Sequence, residues 1–389
     1  MKFTTTKSAL EMQLKRVKQL VGKGPLPILQ CVVLEAINDA EGVTLTTSNI
    51  EQTMIARVGA KEVEPGATAV DCRALLGMIG GLPDDMLTFT LEGSVVHITA
   101  MNTNMTIDGE DVEEFPPTPL LPEDAEKVDV NTALLFKALD AVLPGVATED
   151  RRPVLETVNF DVHEESVNLV SADGFRLTVA SIPKTDLPIA ASVLVDGKAL
   201  GIARKVIDGG EELTWTMGAE GVVKLESHAL EMYITRTLGT FPNYSQLVPS
   251  EWTAEVTLRR DPFLEAVELA GKVAGGNPVK LIFVAHGEDR DGMLTVKGRV
   301  EGLGFETKVP ATLKVSKGAV PYWGTEESKH PEYSGPFIAT NGEYMADAIK
   351  AVPGDVVTFR VTSPSSPVVY ISPHAPDPFA VVMPVFVQW

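Results

Sequence analysis

One pattern of predicted strands occurs three times along the chain, and this repetition limits the folds that the chain can adopt. The clearest copy lies in the middle, where Val154–Val162, Ser166–Ser171 and Arg176–Ile182 alternate apolar and polar residues. Similar runs open at Pro27-Ile28-Leu29 and at Pro278-Val279-Lys280. Each copy is long enough to bury a core of its own, so the pattern predicts three similar domains.

Two helices are predicted in each copy. Ser8 is predicted to cap the first helix of the first copy, and Gly271 to end the first helix of the third copy. The second helices are predicted at Asp71–Gly80, Gly197–Ile207 and Gly342–Ala351. Apolar residues share one face of each first helix: Leu10, Leu14, Val17 and Val21; Leu135, Leu139 and Val142; Phe263, Val267 and Ala270.

Proline-rich linkers after Glu114 and after Thr240 separate the copies, which predicts domains at 1–120, 127–248 and 253–389. Corresponding strands lie 126 residues apart between Thr88 and Thr214 but 144 apart between Thr214 and Thr358. The difference predicts an insertion near 310–336. The order of elements predicts an α+β fold, in which two helices per domain pack on antiparallel sheets.

Composition excludes several classes of protein. No apolar run approaches the roughly 18–20 residues that cross a bilayer, and the first residues are polar and amphipathic, unlike a secretion signal. Cys31 and Cys72 lie in apolar contexts and are predicted to be buried free thiols. We therefore expect a cytoplasmic protein that contacts no membrane and needs neither a metal nor a cofactor.

Charge is unevenly distributed along the chain. The net charge of −20 alone argues against a nucleic-acid partner, since an acidic surface repels a polyanion. However, the stretch from Lys7 to Lys18 carries four basic residues and one acidic residue, whereas Asp108 to Glu126 carries eight acidic residues and no basic one. The place where the cations converge is therefore more informative than the total.

A hydrolase or nuclease is the rival class, with Asp150, Asp161 or Asp173 as possible catalytic carboxylates. The sequence gives it little support, because it contains no HExxH, GxSxG or P-loop motif and no paired His/Asp cluster. Asp173 precedes Gly174 in a predicted turn, where aspartate usually has a structural role.

Several short motifs, spread over the whole chain, together resemble one family. They are the opening MKFT, Leu26-Pro27-Ile28-Leu29, Pro65-Gly66-Ala67-Thr68, Ala172-Asp173-Gly174-Phe175-Arg176-Leu177, Gly239-Thr240-Phe241-Pro242-Asn243-Tyr244 and Val381-Val382-Met383-Pro384. With them the chain resembles the bacterial DNA polymerase III beta subunits, the sliding clamps. The resemblance implies a non-catalytic processivity factor, a head-to-tail homodimeric ring of six domains around duplex DNA. A variant or phage-encoded clamp, or a duplicate that confers resistance to clamp-binding antibiotics, remains an alternative.

Simple geometry agrees with such a ring. Twelve helices at ~9 Å spacing form a circle ~34 Å across, and subtracting ~10 Å for helix thickness leaves ~24 Å, slightly wider than a duplex of roughly 20 Å. Three copies alone cannot close this circle, so a symmetric pair is expected.

Weak, sequence-independent phosphate contacts would let such a ring slide. Basic residues on the predicted helices suit these contacts, and the resemblance adds further positions. The predicted DNA-binding residues are Lys15, Arg16, Lys23, Arg73, Lys198, Arg204 and Lys205.

The resemblance also implies a pocket for short peptides of partner proteins: the DNA polymerase III alpha subunit, the clamp loader, other polymerases and repair proteins. An apolar pocket with a flexible methionine suits several partners. Phe175 and Gln246 stand where related clamps often carry His and Arg, so a slightly different peptide preference is expected. The matching residues are Leu155, Ala172, Gly174, Phe175, Arg176, Leu177, Pro242, Gln246, Leu247, Val381, Val382, Met383, Pro384 and Val385.

A dimer contact is the third site that the resemblance implies. It would pair Met105 and Ile107 of the first copy with Val267, Ala270 and Val273 of the third.

Overall fold

The computed structural model describes residues 1–22, 26–38, 40–122, 125–148, 152–218, 221–285, 291–315, 337–363, 365–375 and 377–387. Within these residues, the protein contains both α-helices and β-strands, and the paired strands run antiparallel. This arrangement confirms the α+β class. No α-helix in these ranges is long and apolar enough to span a bilayer.

The chain forms two compact units. The first comprises Met1–Ala133, Asp186–Ile189 and Lys198–Arg236, and the second comprises Leu134–Thr185, Ala190–Gly197 and Thr237–Trp389. The units divide the chain differently from the three sequence copies, so the division into three domains stays a prediction.

Two antiparallel sheets form the first unit. In spatial order, the five-stranded sheet contains β5 (Lys61–Glu64), β1 (Lys2–Thr6), β7 (Met86–Glu92), β8 (Val95–Ala100) and β9 (Thr103–Asp108). The eight-stranded sheet contains β10 (Glu126–Val130), β15 (Leu213–Met217), β16 (Val222–Ser227), β17 (Leu230–Thr235), β4 (Gln52–Val58), β3 (Gly42–Ser48), β2 (Cys31–Asn38) and β6 (Gly66–Asp71). Because β4 pairs with β17, one sheet joins the first and second copies.

A twelve-stranded sheet forms the second unit in the same way. In spatial order it contains β14 (Val193–Asp196), β11 (Thr157–Val162), β12 (Ser166–Ala172), β13 (Arg176–Pro183), β25 (Phe379–Val382), β24 (Val368–Ile371), β23 (Val356–Val361), β18 (Ala254–Arg259), β21 (Leu303–Val315), β20 (Asp291–Val300), β19 (Pro278–Ala285) and β22 (Phe337–Asn341). Here β13 pairs with β25 and joins the second and third copies. Apart from its first residues, the predicted insertion lies outside the described residues.

Each copy contributes two helices to the described ranges, as predicted: α1 (Lys7–Val17) and α2 (Cys72–Gly80), α3 (Thr132–Val142) and α4 (Gly197–Val206), α5 (Arg260–Ala274) and α6 (Gly342–Ala351). The predicted apolar faces are buried, with Leu10, Leu14 and Val17 fully inaccessible in α1. These faces explain why the helices pack on the sheets, since burying apolar side chains is the main stabilising term.

Two predicted helix ends are wrong. Thr6, not Ser8, caps α1, because the Thr6 hydroxyl accepts a hydrogen bond from the Ala9 amide at 3.4 Å. α5 continues past Gly271 to Ala274 and ends at Gly275, which has a left-handed φ of 59°. The close approach of α5 and α6 depends on Gly342, where a Cβ would lie 3.1 Å from Gly271 Cα, whereas a Cβ on Gly271 would lie at an ordinary 3.8 Å from Gly342 Cα.

The largest apolar core of the second unit lies beneath α5 and α6. Phe263 stacks on Phe359 with ring centroids 5.9 Å apart, and Phe359 contacts Tyr370 at 6.0 Å. Val267 and Ala270 belong to this core and have no exposed surface.

Candidate functional sites

A cleft of about 450 Å³ between α1 and α4 collects four basic side chains in the first unit. Lys15 and Arg16 come from the last turn of α1, and Arg204 and Lys205 come from the last turn of α4. These residues belong to the first and second copies of the repeat. The fold thus gathers cations that are far apart in sequence, and a concave basic surface attracts phosphate groups.

Both α1 cations of the cleft are paired with carboxylates. Lys15 Nζ lies 2.7 Å from Glu11, which also contacts Lys7 at 2.9 Å. The hydrogen bonds from Lys15 and then Lys7 lower the pKa of Glu11 to about 2. Arg16 lies 3.1 Å from Glu211. The α1 cations are therefore partly neutralised by the chain itself.

The remaining predicted DNA-binding residues lie elsewhere. Arg73 is exposed in the first turn of α2, and Lys198 is exposed in the first turn of α4. Neither lines the basic cleft. Lys23 lies outside the described residues.

A buried apolar cluster in the second unit contains four of the predicted pocket residues: Leu155, Ala172, Leu177 and Val381. Val179, Val369 and Ile371 complete its sheet surface at the β13–β25–β24 junction. Val382 faces the other way and joins the core beneath α5 and α6, because successive side chains on a strand point to opposite faces. Val382 is thus a core residue of its own unit, and its assignment to the pocket stays a prediction.

Exposed apolar side chains accompany this cluster and form what we call the rim. Their exposed fractions run from 39% for Met383 to 84% for Phe386, with Phe175, Leu247 and Val385 between these values. Pro242, Gln246 and Gly174 are also exposed, while Pro384 is half-buried. A backbone hydrogen bond joins Met383 to Phe175, and neighbouring exposed apolar groups are typical of a binding site. The sequence prediction missed Phe386, although it directly follows the predicted Val385.

Asp173 and Arg176 hold the turn that carries Phe175. The Asp173 carboxylate accepts hydrogen bonds from the amides of Phe175 at 2.9 Å and Arg176 at 3.0 Å. The Arg176 guanidinium donates to Asp173 at 2.9 Å and to Asp347 at 2.6 Å, and it lies 4.2 Å from the Tyr344 ring centroid. The Met383 amide donates to the Phe175 carbonyl at 2.8 Å, which sets the two rim residues side by side.

Tyr244 fixes the linker that carries Pro242, Gln246 and Leu247. Its hydroxyl donates to Asp161 at 2.8 Å and accepts from the Asn168 amide at 3.3 Å. Burial, with a contribution from Asp161, raises the pKa of Tyr244. The linker is thereby tied to the hairpin of β11 and β12.

The hydrolase hypothesis relies on three aspartates, and those that the structure describes have structural hydrogen-bond partners. Asp161 accepts from Tyr244, Asp173 holds its turn, and Asp150 lies outside the described residues. Among the residues described, no group of three His, Cys, Asp or Glu side chains is arranged to hold a metal. Cys31 and Cys72 are buried free thiols, as predicted, and burial raises their pKa values to about 11 and about 12.

The dimer-contact residues divide into two groups. Met105 and Ile107 are half-buried on β9, which has one neighbouring strand among the described ones. Val267 and Ala270 are fully buried in the core of their own unit, and their place in a dimer contact stays a prediction. The accessible side of α5 carries Leu269, exposed, and Val273, half-buried.

Comparisons with known proteins agree along the whole chain. The chain is 24% identical to the beta sliding clamp of Bacillus subtilis over 401 residues, covering 99% of both proteins. It is 29% identical to the beta sliding clamp of Streptomyces coelicolor over 276 residues, covering 68% of this chain and 72% of the relative.

Solved structures share the fold over the full length of both chains. A DNA polymerase sliding clamp from Bacillus subtilis matches with a TM-score of 0.86 at 20% identity and full coverage of both chains. The DNA polymerase III subunit beta from Pseudomonas aeruginosa matches with a TM-score of 0.85 at 21% identity, again with full coverage. These matches confirm the clamp fold.

Two family models cover most of the first two copies. The N-terminal domain of the DNA polymerase III beta subunit matches residues 1–121, and its central domain matches residues 129–243. Because these matches together span more than half of the chain, it belongs to the DNA polymerase III beta subunit family.

Proposed function

We propose that the chain is a DNA sliding clamp whose basic cleft faces the phosphates of an encircled duplex. The family is non-catalytic and works with DNA and a polymerase. One observation carries the proposal: a chain of net charge −20 gathers Lys15, Arg16, Arg204 and Lys205 in one cleft. Cations concentrated on one surface of an acidic protein direct a polyanion to that surface.

Two copies would close the ring head to tail. The edge of β9, which has a single neighbouring strand in the described ranges, carries Met105 and Ile107 and supports a contact with the third copy of a partner chain. On the partner's side, Leu269 and Val273 are apolar residues of α5 with accessible surface. Arg73 and Lys198 are exposed and would add phosphate contacts outside the cleft.

The rim and the cluster beneath it would bind peptides of partner proteins, including the polymerase alpha subunit, the clamp loader, other polymerases and repair proteins. Exposed Phe175 and Met383 offer apolar contact, and methionine adapts its shape to different partners. We expect these encounters to take place in the cytoplasm. The matches do not favour the alternative of a variant or phage-encoded clamp or a resistance duplicate.

Truncating the rim tests this proposal. Met383→Ala and Phe175→Ala should each weaken binding of a fluorescent peptide with an apolar C-terminal motif by roughly 5- to 30-fold, as for central interface residues. Fluorescence anisotropy measures the dissociation constant. Met86→Ala is a matched control, because Met86 is 42% exposed against 39% for Met383 but lies in the other unit. Unchanged affinity in both rim variants would exclude the rim as the peptide site.

A further inference from the structure

The ion pair between Arg16 and Glu211 differs from the pair that Lys15 forms with Glu11. Its side chains are only 22% and 23% exposed, whereas Lys15 is 62% exposed in its pair with Glu11. Exposed pairs are weak and strongly screened by salt, so a phosphate group displaces their carboxylate easily. A half-buried pair is screened less, so Arg16 is held more firmly than Lys15.

Glu211 is itself fixed in place. Its carboxylate also accepts a hydrogen bond from the Asp208 amide at 3.4 Å, and its backbone carbonyl accepts one from the Thr132 hydroxyl at 2.7 Å. Asp208 lines the same cleft as Arg16. The Glu211 carboxylate is therefore held next to the Arg16 guanidinium, at a position where a phosphate group could otherwise bind.

We propose that Glu211 competes with DNA phosphate for the Arg16 guanidinium and so limits how tightly the cleft holds a duplex. Guanidinium groups bind carboxylate and phosphate through the same paired N–H donors, so the two anions exclude each other at one face of Arg16. A sliding protein needs weak phosphate contacts, and an internal competitor weakens one without removing the cation. The inference rests on the proposed DNA-binding role of the cleft.

Salt dependence of DNA binding tests the competition. Anisotropy of a labelled 30-base-pair duplex between about 50 and 200 mM salt gives the slope of log affinity against log salt, and one added phosphate contact steepens it by about 0.9. Glu211→Gln should therefore raise the ratio of dissociation constants at the two salt concentrations about 3.5-fold. Glu212→Gln makes the same charge change at an exposed neighbour that forms no ion pair in the described residues, and it should leave this ratio unchanged.

Two further variants separate competition from net charge and from folding. Glu211→Asp keeps the charge but withdraws the carboxylate by one methylene group, and it should also steepen the slope. In an Arg16→Gln background, Glu211→Gln should have no more effect than Glu212→Gln. Thermal unfolding verifies that each variant is folded.

The outcomes distinguish the two levels of inference. If the wild-type protein binds the duplex with salt dependence and Glu211→Gln matches Glu212→Gln, the competition is disproved while the DNA-binding role stands. An effect of Glu211→Gln that persists without Arg16 also disproves it. If the wild-type protein shows no salt-dependent binding, the proposed function itself fails.

Discussion

The guanidinium group of Arg176 is held on three sides by the chain itself. Asp173 and Asp347 accept its hydrogen bonds, and Tyr344 lies beneath its plane. Such a group is not a free cation for a partner peptide. In the proposed pocket its contribution would be to position the turn that carries Phe175, and peptide recognition would rest on apolar contact with the rim.

Glu231 is the centre of a buried charge network in the first unit. Lys224 contacts it at 2.9 Å, the Tyr233 hydroxyl donates to it at 2.8 Å, and Arg57 pairs with it from β4. Burial alone would raise the pKa of Glu231, but the hydrogen bonds from Lys224 and Tyr233 outweigh burial and lower it. A carboxylate with a lowered pKa stabilises the fold above its unfolded pKa of about 4.3, and this contribution disappears as the pH falls through the folded value.

Lys224→Met should therefore lower the unfolding free energy by ~1–3 kcal/mol at pH 7, because it leaves a buried carboxylate poorly paired. The deficit should shrink as the pH falls, because burial favours the protonated form of Glu231 in the variant and a protonated carboxyl group no longer needs a cation. Melting temperatures measured from pH 3.5 to 7 report the difference. Lys127→Met is the control, since Lys127 is mostly exposed and pairs only with Glu226 in this network. A deficit that is constant across this range would show that Lys224 acts through packing.

At the scale of secondary-structure elements, local patterns predicted the helices well. The second helix of the third copy has the predicted bounds, Gly342–Ala351, and α2 differs from its prediction by one residue. Caps and periodicity are local properties, so they can be read from neighbouring residues. Gly271 was misread because it lies inside α5, whose C-terminus is set by the left-handed Gly275 four residues further on.

The sites were less predictable than the elements. Periodicity indicated that Val267 and Ala270 lie on an apolar face, but not that this face is covered by their own unit. The cations on the predicted helices pointed to Arg16, and the resemblance pointed to Phe175. The pairing of Arg16 with Glu211 depends instead on a contact between residues 195 positions apart. Such contacts are made by the tertiary fold and leave no signal in spacing.

The two junctions between copies share a backbone pattern but differ in chemistry. The Thr235 amide donates to the Glu51 carbonyl at 3.0 Å in one junction, as the Met383 amide donates to Phe175 in the other. In the second junction, Leu177 and Val381 face each other across the strands and line the apolar cluster. Thr53 and Tyr233 are the corresponding pair in the first junction, beside Lys224 and Glu231. One arrangement thus supports an apolar surface and the other a charge network.

Gly298 on β20 shows how closely helix and sheet approach in the second unit. A Cβ at Gly298 would overlap the carbonyl oxygen of Ala270 in α5 and lie 2.9 Å from its Cα. Backbone atoms give way less readily than side-chain ends. Gly298→Ala should therefore lower the unfolding free energy by ~1–3 kcal/mol.

Gly77→Ala on α2 provides the contrast, because nothing lies within 4 Å of a Cβ built there. Replacing a helical glycine by alanine should be neutral or stabilise by up to about 1 kcal/mol. Urea unfolding midpoints compare the two variants with the wild type. Equal midpoints for all three proteins would mean that α5 and β20 can separate without loss of stability.

At the scale of the whole molecule, the charge distribution suits a protein that must stay on DNA without gripping it. The chain carries 53 acidic and 33 basic residues, and Lys15 and Arg16 of the basic cleft are paired with carboxylates. Contacts of this kind are weak at physiological salt, since each one weakens as counterions compete. Under the proposed function, persistence on DNA would then come from closure of a ring around the duplex, and not from affinity.

Retention on circular DNA separates these two sources of persistence. After loading by the clamp loader, the protein should co-elute with a nicked circular duplex even at salt concentrations that abolish its binding to a short duplex, because linkage around a closed circle does not depend on phosphate contacts. Cutting the circle once should release it, and blocking both new ends with a bulky protein should restore retention. Gel filtration of labelled protein with the DNA gives the retained fraction. Equal retention on open linear and circular DNA, or loss from both at the same salt concentration, would show that contacts alone hold the protein and that no ring encloses the duplex.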